Sequence, residues 1–245
     1  IQTMMMLASI ADIQRGDLSN LKKEGVQEME DVGRKIILAV PYYGYARQDK
    51  RFSAGEVVAA GVIASHLSNA CDGIVILDIH EPKVLENIEH PIRCVTAVPE
   101  IANWLREEVN PDFILSPDKG AVERARNVAE LIDVPYSYLE KKRIDAHTIE
   151  HSPKDLDVSG KVVAIVDDMI STGGTICRAS DALRRQGAVE VHAACTHGLF
   201  TSGALTRLAE HVDGIHSSDS LANPRAVISG APALARGVQD LIGIL

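Results

Sequence analysis

The sequence predicts an α/β fold built on mostly parallel sheets. Three observations carry that expectation: short Val- and Ile-rich runs alternate with segments of helical length, no Pro- or Gly-rich linker interrupts them, and polar motifs recur where the apolar runs end. Ile1–Ile13 is expected to be helical, and Arg15 to Arg34, dense in Lys and Glu, reads as a surface excursion before the first strand, Lys35–Val40. A helix over Val57–Ser68 then leads into a strand over Gly73–Asp78, and a helix over Val98–Val109 into a strand over Phe113–Ser116. Ala121–Ile132 reads as a helix, and Tyr136–Leu139 and Val162–Val166 as strands. Ile176 to Gln186 reads as a helix closed by Gly187. A strand over Val191–Cys195, a helix over Ser202–His211, a strand over Gly214–Ser217 and a last helix over Ala231–Leu241 complete the pattern. A division near Ala97 gives two similarly built halves, 1–96 and 97–245, with a cleft between them.

In open α/β sheets the functional loops lie at the carboxyl ends of strands. The most informative such loop runs from Asp167-Asp168 to Ser171-Thr172-Gly173-Gly174-Thr175, between a strand and a helix. Glycines let the backbone bend closely around a ligand, and the free N–H groups of the following helix favour an anion such as phosphate. Asp167 and Asp168 suit sugar hydroxyls or a metal beside that phosphate, so the pattern points to a phosphorylated sugar. It lacks the Gly-Lys-Ser/Thr of a P-loop and the G-x-G-x-x-G of a dinucleotide turn. The plainer alternative is a strand–helix junction with Ser171 or Thr172 as an ordinary N-cap.

The net charge of −9 argues against non-specific binding to nucleic acid or an anionic membrane surface. A phosphate-handling protein of that charge must gather its cations locally, and two clusters do so: Arg47-Gln48-Asp49-Lys50-Arg51 and Lys141-Lys142-Arg143. Cys71, Cys94, Cys177 and Cys195 are widely spaced beside apolar segments, which predicts buried free thiols in a reducing cytosol rather than disulfides or zinc. The apolar opening Met4–Ala11 is far short of a membrane span.

Pro41-Tyr42-Tyr43-Gly44-Tyr45-Ala46-Arg47-Gln48-Asp49-Lys50-Arg51 follows the first strand and offers Arg for polyphosphate, with Gln and Asp for the polar edges of a nucleoside. On its own it reads equally well as a solvated basic turn. Together with Leu77-Asp78-Ile79-His80, Ser116-Pro117-Asp118-Lys119-Gly120, Leu139-Glu140-Lys141-Lys142-Arg143, the Asp-Asp loop and Cys195-Thr196-His197-Gly198, it resembles the ribose-phosphate pyrophosphokinase family, most closely the archaeal form. The resemblance runs in order from about Ile36 to Phe200.

That resemblance implies two phosphoribosyltransferase-like halves, an N-terminal one for ATP and a C-terminal one for ribose 5-phosphate. It implies Mg2+-dependent transfer of pyrophosphate from ATP to the anomeric hydroxyl of the sugar, in a homo-oligomer. Carried over residue by residue, Arg47 and Gln48, with Asp49 beside them, fall at the ATP contacts, and His80 and Asp118 at the metal-associated positions. Asp167, Asp168, Ser171, Thr172, Gly173, Gly174 and Thr175 fall at the sugar-phosphate site, and Lys141 and Arg143 at the catalytic cations, Arg143 also facing the sugar phosphate. Ile144 to Asp157, with little periodicity, suits a lid. Three departures stand out: Lys142 replaces the usual Arg or Thr, Ser218 to Pro224 follows the family pattern only loosely, and the first strands with their Phe-x-Asp-Gly-Glu element have no counterpart, so an N-terminal segment is expected to be missing. A phosphoribosyltransferase shares the Asp-Asp loop but leaves Tyr42–Arg51 unexplained, and a non-catalytic regulatory paralogue would have lost the Lys141/Arg143 pair.

Overall fold

The computed structural model describes residues 35–51, 53–143, 149–153 and 156–245, with backbone only for 140–143 and 149–153. The expected helix over Ile1–Ile13 and the excursion to Arg34 lie outside the described residues. Along the chain the elements are β1 (Ile37–Val40), α1 (Ala59–Ser68), β2 (Gly73–Leu77), a 3-10 turn (Pro82–Leu85), β3 (Ile92–Val95), α2 (Val98–Glu108), β4 (Phe113–Ser116), α3 (Val122–Ile132) and β5 (Tyr136–Arg143). They continue with β6 (Ile149–Pro153), β7 (Val162–Ile170), α4 (Gly174–Arg185), β8 (Glu190–Gly198), α5 (Ala204–Ala209), β9 (Gly214–Ser218), β10 (Ala226–Ile228) and α6 (Ala231–Ile242). No described helix is long and apolar enough to cross a membrane.

Two compact units result: one running to Val95 and taking in Leu234–Leu245, the other spanning Thr96–Ala233. In the first, β1, β2 and β3 form a parallel sheet in that order. All five residues of β2 are buried, which explains its unbroken apolar run Gly-Ile-Val-Ile-Leu; each of its Ile, Val and Leu side chains contributes about 1.5–3 kcal/mol by leaving water. Ile74 and Ile76 pack with Ala60, Ala64 and Leu67 of α1. Gly237 of α6 sits so close to the sheet that a Cβ there would lie 2.5 Å from Val75 Cγ1 and 2.7 Å from Val95 Cγ1.

In the second unit, seven strands run in the order β10-β9-β8-β7-β4-β5-β6. All described pairings are parallel except β5–β6, which is antiparallel. Val163 and Ile165 of β7, with Val191 and Ala193 of β8, pack against Ile176, Ala179 and Leu183 of α4. The α/β class read from the sequence is therefore the observed one.

Several elements differ from expectation. Strand β7 runs on through Asp167 and Asp168 to Ile170, because β8 accompanies it, pairing Asp167 with Cys195 and Ile170 with Gly198. Part of the expected lid is strand β6, which pairs Leu139 with Pro153 and Lys141 with His151. Ile144–Thr148 and Lys154–Asp155 lie outside the described residues. All four cysteines are free, but only Cys177 and Cys195 are buried; Cys71 is half-buried and Cys94 is exposed, since an apolar-flanked strand residue still alternates faces.

Candidate functional site

Within the second unit the site grows from the carboxyl ends of β4, β7 and β8. Asp118 follows β4, and its Oδ1 accepts from the backbone N–H groups of Gly120 (2.8 Å) and Ala121 (3.2 Å), which turns the chain into α3. The Ser116 hydroxyl donates to the Asp118 carbonyl at 2.6 Å and fixes the other end of that turn. Asp167 and Asp168 lie in the last half of β7, before Met169 and Ile170 end it. Burial, the Asp168 carboxylate next to it and the more distant charge of Asp118 all push the Asp167 carboxyl well above the usual carboxylate range. Three carboxylates thus gather near one another at these strand ends.

Behind them Cys195 is fully buried, and burial pushes its thiol far up, so it packs as an inert apolar group. The positive charge of Arg124 acts on the same thiol, and the Arg124 guanidinium donates to Thr196 Oγ1 at 3.4 Å. Arg124 was not singled out from sequence. The available signal was its place in the first turn of α3, where a cation opposes the helix dipole unless acids hold it there.

After Ile170 the chain turns through Ser171–Gly173 into α4. Gly173 has φ +77°, and a Cβ on it would lie 2.8 Å from Leu208 Cγ, so this glycine is demanded by both conformation and packing. Gly174 is different: a Cβ there meets nothing closer than Arg178 Nη1 at 3.5 Å, which is ordinary contact. No side chain caps α4, and the N-cap residue is Gly173 rather than Ser171 or Thr172. Ser171 Oγ instead bonds Thr201 Oγ1 at 3.0 Å. The first-turn N–H groups of an α-helix have no partner within the helix, and here no capping side chain stands in front of them.

Residues 196–198, expected just after a strand, lie inside β8. His197 is buried and its Nδ1 bonds Ser220 Oγ at 2.9 Å, while Ser218 and Ser220 hydroxyls both donate to the Thr196 carbonyl, at 2.6 and 2.9 Å. The loosely matching Ser218–Pro224 stretch therefore has a job: it fastens the end of β8, with Asn223 Nδ2 donating to the Gly198 carbonyl at 3.3 Å.

In the first unit, Arg47 and Gln48 are exposed and Asp49 is half-buried on the loop after β1. That loop is anchored rather than free. Tyr43 is buried with its hydroxyl donating to the Ala60 carbonyl at 2.6 Å, and burial pushes its pKa up to about 12. Gln48 N–H donates to the Tyr45 carbonyl at 2.9 Å, and Arg51 Nε to the Glu56 carbonyl at 2.9 Å. Asp78, buried after β2, holds φ +42° while its N–H donates to the Val95 carbonyl at 2.8 Å, and this sharp bend delivers exposed His80 to the same end of the sheet.

The structure thus brings Asp118, Asp167, Asp168 and the Ser171–Thr175 loop together in one unit, and Arg47, Gln48, Asp49 and His80 to the strand ends of the other. Lys141 and Arg143 lie two positions apart on β5, opposite His151 and Ile149. Among the described residues no three His, Cys, Asp or Glu side chains form a metal cluster. Mg2+ does not require one: it takes few protein carboxylates and keeps several waters. An all-oxygen set of neighbouring carboxylates, as at Asp118, Asp167 and Asp168, fits such a hard cation.

Residues 85–214, which include this strand–acid–glycine-turn–helix arrangement, match the family described as phosphoribosyl transferase domain. More specific likenesses extend over most of the chain. The ribose-phosphate pyrophosphokinase of Methanopyrus kandleri is 42% identical over 217 residues, covering 87% of this chain and 75% of that protein. Its counterpart from Pyrococcus furiosus is 39% identical, covering 82% and 72%. The crystal structure of phosphoribosylpyrophosphate synthetase from Mycobacterium smegmatis superposes with a TM-score of 0.73 at 32% identity, covering 86% of this chain and 72% of that one. The chain belongs to the ribose-phosphate pyrophosphokinase family, a family of transferases.

Proposed function

We propose that this chain makes phosphoribosyl pyrophosphate, transferring the pyrophosphoryl group of ATP to the anomeric hydroxyl of ribose 5-phosphate and releasing AMP. The observation that carries the reading is the crowding of Asp118, Asp167 and Asp168 beside an uncapped, glycine-led helix start. The Ser171–Thr175 loop receives the 5-phosphate on backbone N–H groups, with the Thr172 and Thr175 hydroxyls assisting. Asp167 and Asp168 then orient the ribose hydroxyls. Arg47 and Gln48 bind the polyphosphate and nucleoside of ATP, with Asp49 beside them. Lys141 and Arg143 neutralise charge that builds on the transferring phosphorus and its oxygens, in a reaction that needs positioning and electrostatics more than covalent chemistry. Asp118 and, separately and through water, His80 are the residues that would associate with Mg2+, which would supply charge neutralisation of the polyphosphate.

Incubation of the protein with ATP, Mg2+ and ribose 5-phosphate tests this reading. The expected product is AMP in step with phosphoribosyl pyrophosphate and dependent on the sugar phosphate. Release of pyrophosphate from added phosphoribosyl pyrophosphate and a nucleobase, with no AMP formed from ATP, would make the chain a phosphoribosyltransferase instead. Ligand binding without turnover would make it a regulatory paralogue.

A further inference from the structure

A trans peptide is planar, so its C=O and N–H point in opposite directions; fastening the carbonyl aims the N–H. Three consecutive peptides of the turn entering α4 are fastened in this way, all by one segment. The Ile170 carbonyl accepts from the N–H groups of Leu199 (3.0 Å) and Phe200 (3.1 Å), and the Ser171 carbonyl from Thr201 N–H (3.0 Å). The Thr172 carbonyl accepts from Arg207 Nη1, and Nη2 of the same guanidinium donates to the Ser202 carbonyl at 3.3 Å. The N–H groups of Ser171, Thr172 and Gly173 therefore face away from the Leu199–Arg207 segment, which is what a backbone anion cradle needs.

That segment adopts costly backbone to do so. Phe200 and Ser202 hold φ +45° and +54°, followed by Gly203 at +71°. Non-glycine residues are rare in this region and persist where the surroundings over-determine them. Gly198 lets the Phe200 ring fold back, since a Cβ there would lie 2.4 Å from Phe200 Cε2. Leu208, next to Arg207, packs against Gly173 itself.

We propose that Arg207 is a positioning residue for sugar-phosphate binding: by tying the Thr172 carbonyl to the Ser202 carbonyl, it aims the Gly173 N–H at the phosphate. This rests on the phosphate-loop reading above. Arg207 acts through the peptide it holds. Its planar fork spans two carbonyls, which a lysine ammonium on a flexible stem does less well.

The test compares wild type with Arg207→Met, Arg207→Lys and Gly174→Val, measuring Kd for ribose 5-phosphate and for inorganic phosphate, KM and kcat for both substrates, and Tm. Arg207→Met should weaken ribose 5-phosphate and phosphate binding about 10-fold, the scale of one hydrogen bond to a charged group, and leave the KM for ATP within about twofold. Arg207→Lys, which keeps the charge and can reach one carbonyl, should recover part of the loss and remain weaker than wild type at both low and high salt. In wild type the amide resonance of Gly173 should shift on adding phosphate, and in Arg207→Lys it should shift less. Full recovery by lysine would reduce Arg207 to its charge and overturn the proposal, as would wild-type phosphate affinity in Arg207→Met. If Gly174→Val also binds like wild type, the phosphate-loop reading itself fails; if only Gly174→Val loses affinity, this inference alone fails.

Discussion

At the residue scale, Asp167 ties charge to stability. Burial and the neighbouring carboxylates raise its pKa in the folded protein. The folded state therefore keeps a proton that the unfolded chain has already lost, so stability falls as pH rises from the ordinary aspartate range through the raised value. Asp167→Asn keeps the shape and removes the titration. Thermal melts should show the variant more stable than wild type above the raised pKa and equal to it in acid, with ribose 5-phosphate affinity reduced. An unchanged pH slope in Asp167→Asn would place the strain elsewhere. The sequence made this acid pair visible but not its setting: two adjacent aspartates after five apolar residues read as a loop. Only the pairing of Asp167 with Cys195 on β8 shows that they are strand residues. Tyr43 misleads in the opposite sense, since it stands in a nucleotide-like motif yet is spent on the Ala60 carbonyl. Arg207 left no local signal, because its target, the Thr172 carbonyl, is 35 residues away.

Elements with a strong periodic pattern were legible: α2, α3 and α4 begin within two residues of their expected starts, β2 shows as an unbroken apolar run and β4 as three apolar residues before Ser116. Elements defined by a partner were not. Strand β6, Ile-Glu-His-Ser-Pro, has little strand propensity of its own and is specified by β5 beside it. Strand β3 was missed because Arg93 interrupts its four residues. The β5–β6 pairing bears on the catalytic role proposed for Lys141 and Arg143, which stand on a paired strand. Lys141→Ala should lower kcat about 10²–10³-fold with little change in KM, the scale of one lost transition-state contact. Removing Arg143 as well should cost less than the product of the single effects; multiplicative losses would show that the two act on separate charges. A packing prediction concerns α6. Ala at position 237 gains about 1 kcal/mol of helix propensity, but its Cβ would intrude on Val75 and Val95, two stiff β-branched side chains, at a cost of about 1–3 kcal/mol. Gly237→Ala should therefore lower Tm, by about 2–4 °C for each kcal/mol lost. A raised Tm would mean that the sheet yields.

For the whole molecule, the likeness to pyrophosphokinases over most of the chain leads us to propose a homo-oligomer. Light scattering at micromolar concentration should give a mass well above the 26.4 kDa of one chain, and a monomer would refute it. The chain's path has a temporal consequence. Strands β1, β2 and β3 are made early, yet the helix whose Gly237 rests on Val75 and Val95 is encoded after the entire second unit. On a ribosome adding about 5–20 residues/s, that interval is on the order of 10 s. During it the nascent sheet of β1, β2 and β3 waits with the surface that α6 will cover still bare. The early sheet is thus completed only after α6 emerges, and until then its apolar face calls for chaperone shelter.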